Sequence, residues 1–357
     1  MSEEITAART GRLGRLGRVL INRPRALNAL TGPMFAEIGR ALDAWRNDAA
    51  VEAVVVRGAG ANFSAGGDIR FVRDMVLAGD DAGIATMYAD EYRLDAQIDA
   101  FPKPYVAAVD GYCMGGGLGV AMYADVIAVT ERAQLAMPEV GIGFFPDVGA
   151  SYVLPRLPDR IGWYMGLTGT RLSAFDAVAC GLATHLLDDR TFERLEEIVA
   201  WEDLAPESLR LRFASVAHNP VSAPIDALRP AIRRCFDRSD LDGVFGALER
   251  EGGIWAGETL AAMRRASPTS LAITFELFRR GSTLTLAQCL EIEYQLAVRV
   301  CKTPEFLEGV RAMVIDKDRA PRWNPPSVER LSSDALEALW SEIDVSRNEL
   351  GLQETVR

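Results

Sequence analysis

The sequence predicts an α/β protein whose carboxyl-terminal part is mainly helical. From Arg18 to about Asp188, short apolar strand-like runs alternate with Gly-rich turns and helix-period patterns. After about Arg190 the strand-like runs stop and helical spacing takes over. The composition supports a folded chain: of 357 residues, 49% are apolar and 25% charged, close to the soluble globular average and enough for a substantial core. Length allows one large domain or two. We divide the chain at 190, into an α/β core (1–190) and a helical region (191–357).

The elements follow in order. The Arg-rich amino terminus, MSEEITAARTGRLGRLGRVLINRP, reads as a Gly-broken β-hairpin running into VLIN. Glu3 and Glu4, with no apolar core segment or small-residue cleavage site, argue against a transit peptide. PMFAEIGRALDAWRND repeats at helical spacing through Met34, Ile38, Leu42 and Trp45. VEAVVVRGAG is a β-branched run closed by glycines. NFSAGGDI, KPYVAAVDGYCMGGG and DVIAVTERAQLAMPE continue the alternation, with LGVAMYA able to run as a helix after the glycines. Farther on, Ser267 and Pro268 of SPTSLAITFELFRRG form a helix start. TLAQCLEIEYQLAVRVC is helical, with apolar residues at Leu286, Leu290, Ala297 and Cys301, and its acids read as a solvated face. IDKDRAPRWNPP reads as an irregular, proline-bounded segment.

Charge and residue types exclude several functions. A net charge of −11 opposes a nucleic-acid binder, which needs a basic face to displace counterions. The five cysteines (Cys113, Cys180, Cys235, Cys289 and Cys301) are scattered and form no CxxC, which opposes a disulfide framework or zinc site and suits a reducing compartment. Cys113, in an apolar Gly-rich run, reads as a small core residue. The only histidines are His185 and His218, so metal sites and histidine-based triads begin weak; His185 reads as a structural turn residue. The longest nearly uncharged stretch, 111–124, is too short to span a bilayer and reads as buried backbone. A cytosolic protein is expected, with no metal, no nucleic acid and no membrane partner. No GxxxxGK[ST] occurs, and each GxGxxG trial fails at its third glycine, at Phe63, Met122 or Pro146.

Two features remain for chemistry. Gly115–Gly117 end an apolar strand and open a helix, where unpaired N–H groups and the positive end of the helix dipole could meet a developing negative charge. A second donor from Gly66 or Gly67 would complete an oxyanion hole; plain helix–strand packing is the competing explanation. AMPEVGIGFFPDVG places Glu139 and Asp147 among apolar residues, Gly and Pro. Gly141, Gly143 and Pro146 oppose a continuous helix there, so a loop can turn both acids toward one reacting group.

The set NRPRALNALT, FSAGGDI, PKPYVAAVDGYCMGGG, AMPEVGIGFFPDVGASYVLPRL and LTGTRLSAFDAVACGLATHL resembles the crotonase (enoyl-CoA hydratase/isomerase) superfamily over roughly half the chain. MPEVGIGFFPDVG, SPTSL…RRG…LEIEYQLAVR and FLEGVRAMVIDKDRAPRWNPP resemble its 3-hydroxyisobutyryl-CoA hydrolase branch and extend the likeness to nearly the whole chain. The resemblance implies a crotonase-type spiral of β-β-α units with a mostly helical carboxyl-terminal region. It implies oxyanion-hole positions at Gly67 and Gly116, catalytic acids at Glu139 and Asp147, and a substrate contact at Glu91, for which a surface helix acid is the plain alternative. Ala26, Leu27, Ala65, Gly66, Asp68 and Ile69 match backbone lining the adenine end of coenzyme A. Arg25 is a candidate for a CoA phosphate against the plainer reading of a solvated arginine. No cofactor is implied, because coenzyme A is part of the substrate. Relatives often form trimers or hexamers.

One position separates the reactions. Hydratases of this superfamily carry a second glutamate three residues beyond the oxyanion-hole glycine, where this chain has Gly119. A glycine can neither take nor give a proton. Hydrolysis needs only a polarised carbonyl, an activated water or carboxylate nucleophile, and a leaving thiolate. The expected activity is hydrolysis of a short 3-hydroxyacyl-CoA, 3-hydroxyisobutyryl-CoA of valine breakdown first. The rivals are hydration or isomerisation of an enoyl-CoA, and a silent CoA-binding protein. The chain departs from the hydrolase pattern at Ala121 and Tyr123, where a Ser and a His often appear.

Overall fold

The computed structural model describes residues 4–10, 14–200, 205–218 and 222–353. Its contacts gather into two units, each assembled from separated stretches. One takes the chain up to Gly67, Asp90–Leu135 and Leu172–Asp226; the other takes Asp68–Ala89, Ala136–Arg171 and the chain from Ala227 onward. Dividing the chain at 190 follows composition, whereas these units follow contacts.

Among the described residues, nine strands are labelled in chain order. The first five are β1 (Ile5–Thr10), β2 (Leu16–Ile21), β3 (Ala53–Gly58), β4 (Tyr105–Val109) and β5 (Tyr112–Met114). Then come β6 (Val126–Val129), β7 (Gln134–Ala136), β8 (Leu172–Ser173) and β9 (His185–Leu186). Six form one sheet in the order β1-β2-β3-β4-β6-β9, and three form a second, β5-β7-β8. β1 and β2 are the expected antiparallel hairpin, with Ile5 opposite Ile21; its turn at 11–13 lies outside the described residues. From β2 onward the large sheet is parallel.

Sequence explains which strands are central. Ala53–Val56 and every residue of β4 and β6 are buried, the unbroken apolar run of a parallel strand covered on both faces. The helix Gly32–Arg46 buries Met34, Ile38, Leu42 and Trp45, the four residues its period predicts. Cys113 is fully buried, and burial pushes its thiol pKa up, as suits a core residue. His185 corrects the expectation of a turn. It lies in β9 opposite Ala128, with Nδ1 2.8 Å from the Thr184 hydroxyl, because the short run HL adds a last strand to the sheet.

The second unit carries the helices Arg229–Phe236, Leu241–Glu251, Gly253–Arg265, Pro268–Gly281, Leu286–Val300 and Pro304–Val310. Ser267 caps its helix as expected, its hydroxyl accepting the Ser270 N–H at 3.1 Å, with Pro268 in the first turn. These helices brace the turn Glu139–Ile142. The Ser267 N–H donates to the Val140 carbonyl at 2.9 Å, and a Cβ on Gly309 would strike the Ile142 carbonyl. Gly143 closes the turn at φ 74°, hard against the Glu305 carbonyl. After a single π-helical turn at Arg311–Ile315 the chain is irregular through Pro326, as its prolines foretell, before the helix Ser333–Ser341; Arg311 pairs with Glu308, Asp316 and Asp318.

Candidate active site

In the first unit, two backbone amides and one carboxylate converge. The loop 64–67 is held from two sides by isolated parallel bridges, Ser64 with Cys113 and Leu30 with Gly67. Gly116 opens the helix Gly116–Met122 behind Gly115, a glycine at φ 49° with no side-chain cap. The N–H groups of Gly67 and Gly116 donate to no acceptor among the described residues. A Cβ on Gly116 would lie 3.2 Å from the Gly67 nitrogen and would collide with Glu91 Oε1. The two amides and the Glu91 carboxylate therefore border one small space. Glu91 is 3% exposed, which removes the surface-acid explanation for it. Two N–H donors at such a point can stabilise a carbonyl oxygen as it gains charge, and a carboxylate there can accept from a hydroxyl.

The segments expected along coenzyme A are joined. The Ala65 N–H donates to the Leu27 carbonyl at 2.9 Å, and the Leu30 N–H to the Gly66 carbonyl at 2.8 Å. Leu27 and Asn28 both take positive φ, turning the chain sharply after Ala26. Asn28, which sequence reasoning passed over, is what holds the turn. Fully buried, it donates through Nδ2 to the carbonyls of Ala59 (2.9 Å) and Asn62 (2.7 Å). Ser64, likewise missed, donates to the Asn28 carbonyl and accepts the Gly66 N–H. Arg25 is exposed and makes no ion pair among the described residues. Asp68 and Ile69 belong to the second unit, where the Asp68 carboxylate caps the helix Ile69–Ala78 by accepting the Phe71 N–H at 3.3 Å.

In the second unit the acids predicted from AMPEVGIGFFPDVG are both buried, Glu139 at 7% and Asp147 at 6% exposure. The intervening apolar residues explain this. Phe144 stacks on Phe145 and Tyr88 and meets the edge of Phe306, pulling the segment inward. Glu139 Oε2 is buried with no hydrogen-bond partner among the described residues. Burial, and then the charge of Asp147, hold the Glu139 pKa well above the usual carboxylate range. Such a carboxyl, once ionised, is a stronger base than an ordinary carboxylate.

A third acid was missed. Glu293, on Leu286–Val300, is fully buried, correcting the solvated face expected for the acids of that helix; Glu291 is buried as well. Glu293 accepts the N–H of Gly149 (2.6 Å) and both the N–H (3.0 Å) and hydroxyl (2.5 Å) of Ser151. Glu291 accepts from Gln295 Nε2 at 2.9 Å and from the Leu350 N–H at 3.1 Å. The clue to Glu293 was available, since it falls between Leu290 and Ala297 on the apolar stripe of the helix.

Comparison with known proteins identifies the family. The family described as Enoyl-CoA hydratase/isomerase matches residues 16–340. The chain belongs to the crotonase superfamily. Among its relatives, the mitochondrial 3-hydroxyisobutyryl-CoA hydrolase of Gallus gallus is 35% identical over 91% of this chain and 86% of its own length. The Homo sapiens protein of the same name is 35% identical over 90% and 85%. Among solved structures, a carnitinyl-CoA dehydratase from Mycobacterium thermoresistibile superposes with TM-score 0.89 at 32% identity, over 99% of this chain and 100% of that one. An enoyl-CoA hydratase from Rhodobacter sphaeroides gives TM-score 0.84 at 36% identity, over 94% and 97%. This crotonase-family chain is thus an acyl-CoA enzyme with a mixed α/β fold, a parallel sheet and a helical carboxyl-terminal region. No helix among the described residues is long and apolar enough to cross a membrane.

Proposed function

We propose that this crotonase hydrolyses a short 3-hydroxyacyl-CoA thioester, with 3-hydroxyisobutyryl-CoA, an intermediate of valine breakdown, as the first candidate. The observation that carries the reading is the buried pair Glu139 and Asp147 in a chain with glycine at 119. In this scheme the thioester oxygen accepts from the N–H groups of Gly67 and Gly116, and Glu139 attacks the carbonyl carbon or deprotonates the attacking water. On the first route the C–S bond breaks to an anhydride and CoA thiolate, and water then frees the acid and regenerates Glu139. Asp147 orients that water and handles its proton. The thiolate of an ordinary thiol, pKa about 8.5, leaves readily without a metal.

Glu91 takes the hydrogen bond of the substrate 3-hydroxyl. A site built around such a bond discriminates by about 10⁴ against the analogue lacking it. Turnover of isobutyryl-CoA equal to that of the hydroxylated substrate would remove this role.

The hydrolase names of the Gallus gallus and Homo sapiens relatives favour this reading; the hydratase and dehydratase names of the two solved neighbours favour hydration of an enoyl-CoA. Gly119 opposes hydration, because it leaves no side chain where the second glutamate acts. The deciding experiment follows free thiol released from (S)-3-hydroxyisobutyryl-CoA by wild type, Glu139→Gln and Asp147→Asn. Rapid release lost in both variants is expected. No thiol, with loss of the enoyl absorbance of crotonyl-CoA, would make the protein a hydratase. In a single turnover in ¹⁸O water, label entering Glu139 marks the anhydride route with water attacking the Glu139 carbonyl, and a trapped or mass-detected acyl-enzyme marks it whichever carbonyl water attacks.

A further inference from the structure

Glu293 is a fully buried acid with no ion pair among the described residues. Its acceptor capacity goes to the Gly149 N–H and to the N–H and hydroxyl of Ser151, at 2.6, 3.0 and 2.5 Å. Those donors begin the short helix Ala150–Val153, directly after Asp147. Between Asp147 and the helix the backbone is under strain. Val148, a β-branched residue, stands at φ 55°, followed by Gly149 at φ 81°. A branched side chain persists in the left-handed region only where its surroundings over-determine it. The three hydrogen bonds to Glu293 supply that constraint from a helix far along the chain.

We propose that Glu293 is a positioning residue for the reaction: it clamps the Val148–Gly149 turn and so holds the Asp147 carboxylate in its working place against Glu139. This rests on reading Asp147 as the second acid of a thioester hydrolase. The charge arrangement agrees with the geometry. Burial, with Asp147 adding to it, raises the Glu293 pKa to about 8 even though Ser151 and Gly149 pull it down. Keeping an acid in that position is unfavourable for the fold, and a cap on a four-residue helix is a small return for it.

The test compares wild type, Glu293→Gln, Ser151→Ala, Asp147→Asn and the double variant Glu293→Gln/Asp147→Asn, following thiol release and thermal melting together. A glutamine keeps one acceptor oxygen and turns an N–H₂ toward the donors. Displacing a reacting group by about an ångström costs on the order of 10²-fold in rate. The expected result is therefore a kcat loss of about that size in Glu293→Gln with KM little changed. The double variant should be no slower than Asp147→Asn, because the clamp has nothing left to position. Wild-type kcat in Glu293→Gln, or losses that multiply in the double variant, would overturn the proposal. Should Glu293→Gln fail to fold, Ser151→Ala carries the test: a smaller kcat loss that vanishes in the Asp147→Asn background supports the clamp, and a loss that persists there overturns it.

If wild type releases no thiol from any acyl-CoA, the hydrolase reading alone fails. The clamp is then read from a crystal structure of Glu293→Gln, or of Ser151→Ala if that is the variant that folds. Val148 leaving the left-handed region and a displaced Asp147 carboxylate support it, and an unchanged turn overturns it.

Discussion

At the scale of single residues, the candidate cluster in each unit is defined by what its residues lack. Gly116 has no Cβ, and a Cβ would meet Glu91 Oε1 and approach the Gly67 nitrogen. Gly116→Ala keeps its own N–H, but its methyl should crowd the Gly67 N–H and so cost about 10²–10³ in kcat, the size of losing one oxyanion donor, while leaving the fold intact. Circular dichroism beside steady-state rates checks both halves. Glu139 lacks a partner for one oxygen, and burial with the Asp147 charge keeps its pKa well above the carboxylate range. The sign follows directly. A group that must be ionised to act, and whose pKa is raised, gives an activity that climbs with pH through that raised value. The acid limb of kcat/KM should lie well above the ordinary Glu pKa of about 4.3 and belong to the Glu139–Asp147 pair. A limb at the ordinary value, or one surviving in Glu139→Gln, would contradict the assignment.

Among the elements, the short turn Glu139–Ile142 depends on a distant helix. Pro304–Val310 reaches it through glycine: Gly309 lies against the Ile142 carbonyl and Gly143 against the Glu305 carbonyl. Both contacts are with backbone, which cannot rotate away as a side chain can. Gly309→Ala should destabilise the protein by about 1–3 kcal/mol, the common range for an overpacked site. Urea unfolding measures it, and an unchanged midpoint would show that the helix can slide. The helix starts were legible because capping is local, as at Ser267 and Pro268. The buried face of Leu286–Val300 was misread at Glu293 because an acid is ordinarily assigned to solvent, although its place in the helical repeat was apolar.

For the whole molecule, acids kept from water make stability depend on pH. The Glu293 pKa is raised from 4.5 to about 8, so the folded state binds its proton up to a higher pH than the unfolded chain does. Folding takes up a proton between those values, and stability falls as pH rises across that window. The Glu293 contribution is fully present below pH 4.5 and lost by about pH 8. Wild type should accordingly lose melting temperature relative to Glu293→Gln across this window. Parallel melting curves at all pH values would show that Glu293 does not titrate there.

Order along the chain was enough for the α/β class, the strands with their continuous apolar runs and the helix through Met34 and Trp45, and it singled out the acids at 139 and 147, whose burial the structure supplies. Each of these is written in neighbouring residues, as a period, a turn or an acid in apolar company. Gly119 argued against hydration through the family resemblance, which puts a second glutamate there in hydratases. Tertiary contacts were needed for the rest. Glu91 beside Gly116, Asn28 holding the carbonyls of Ala59 and Asn62, and Glu293 bonded to Gly149 are all long-range meetings, the last across 144 residues. Local preference leaves such acids and amides free to face water. They are buried because packing around them closes and their hydrogen bonds are satisfied inside, a balance that exists only once the chain has folded.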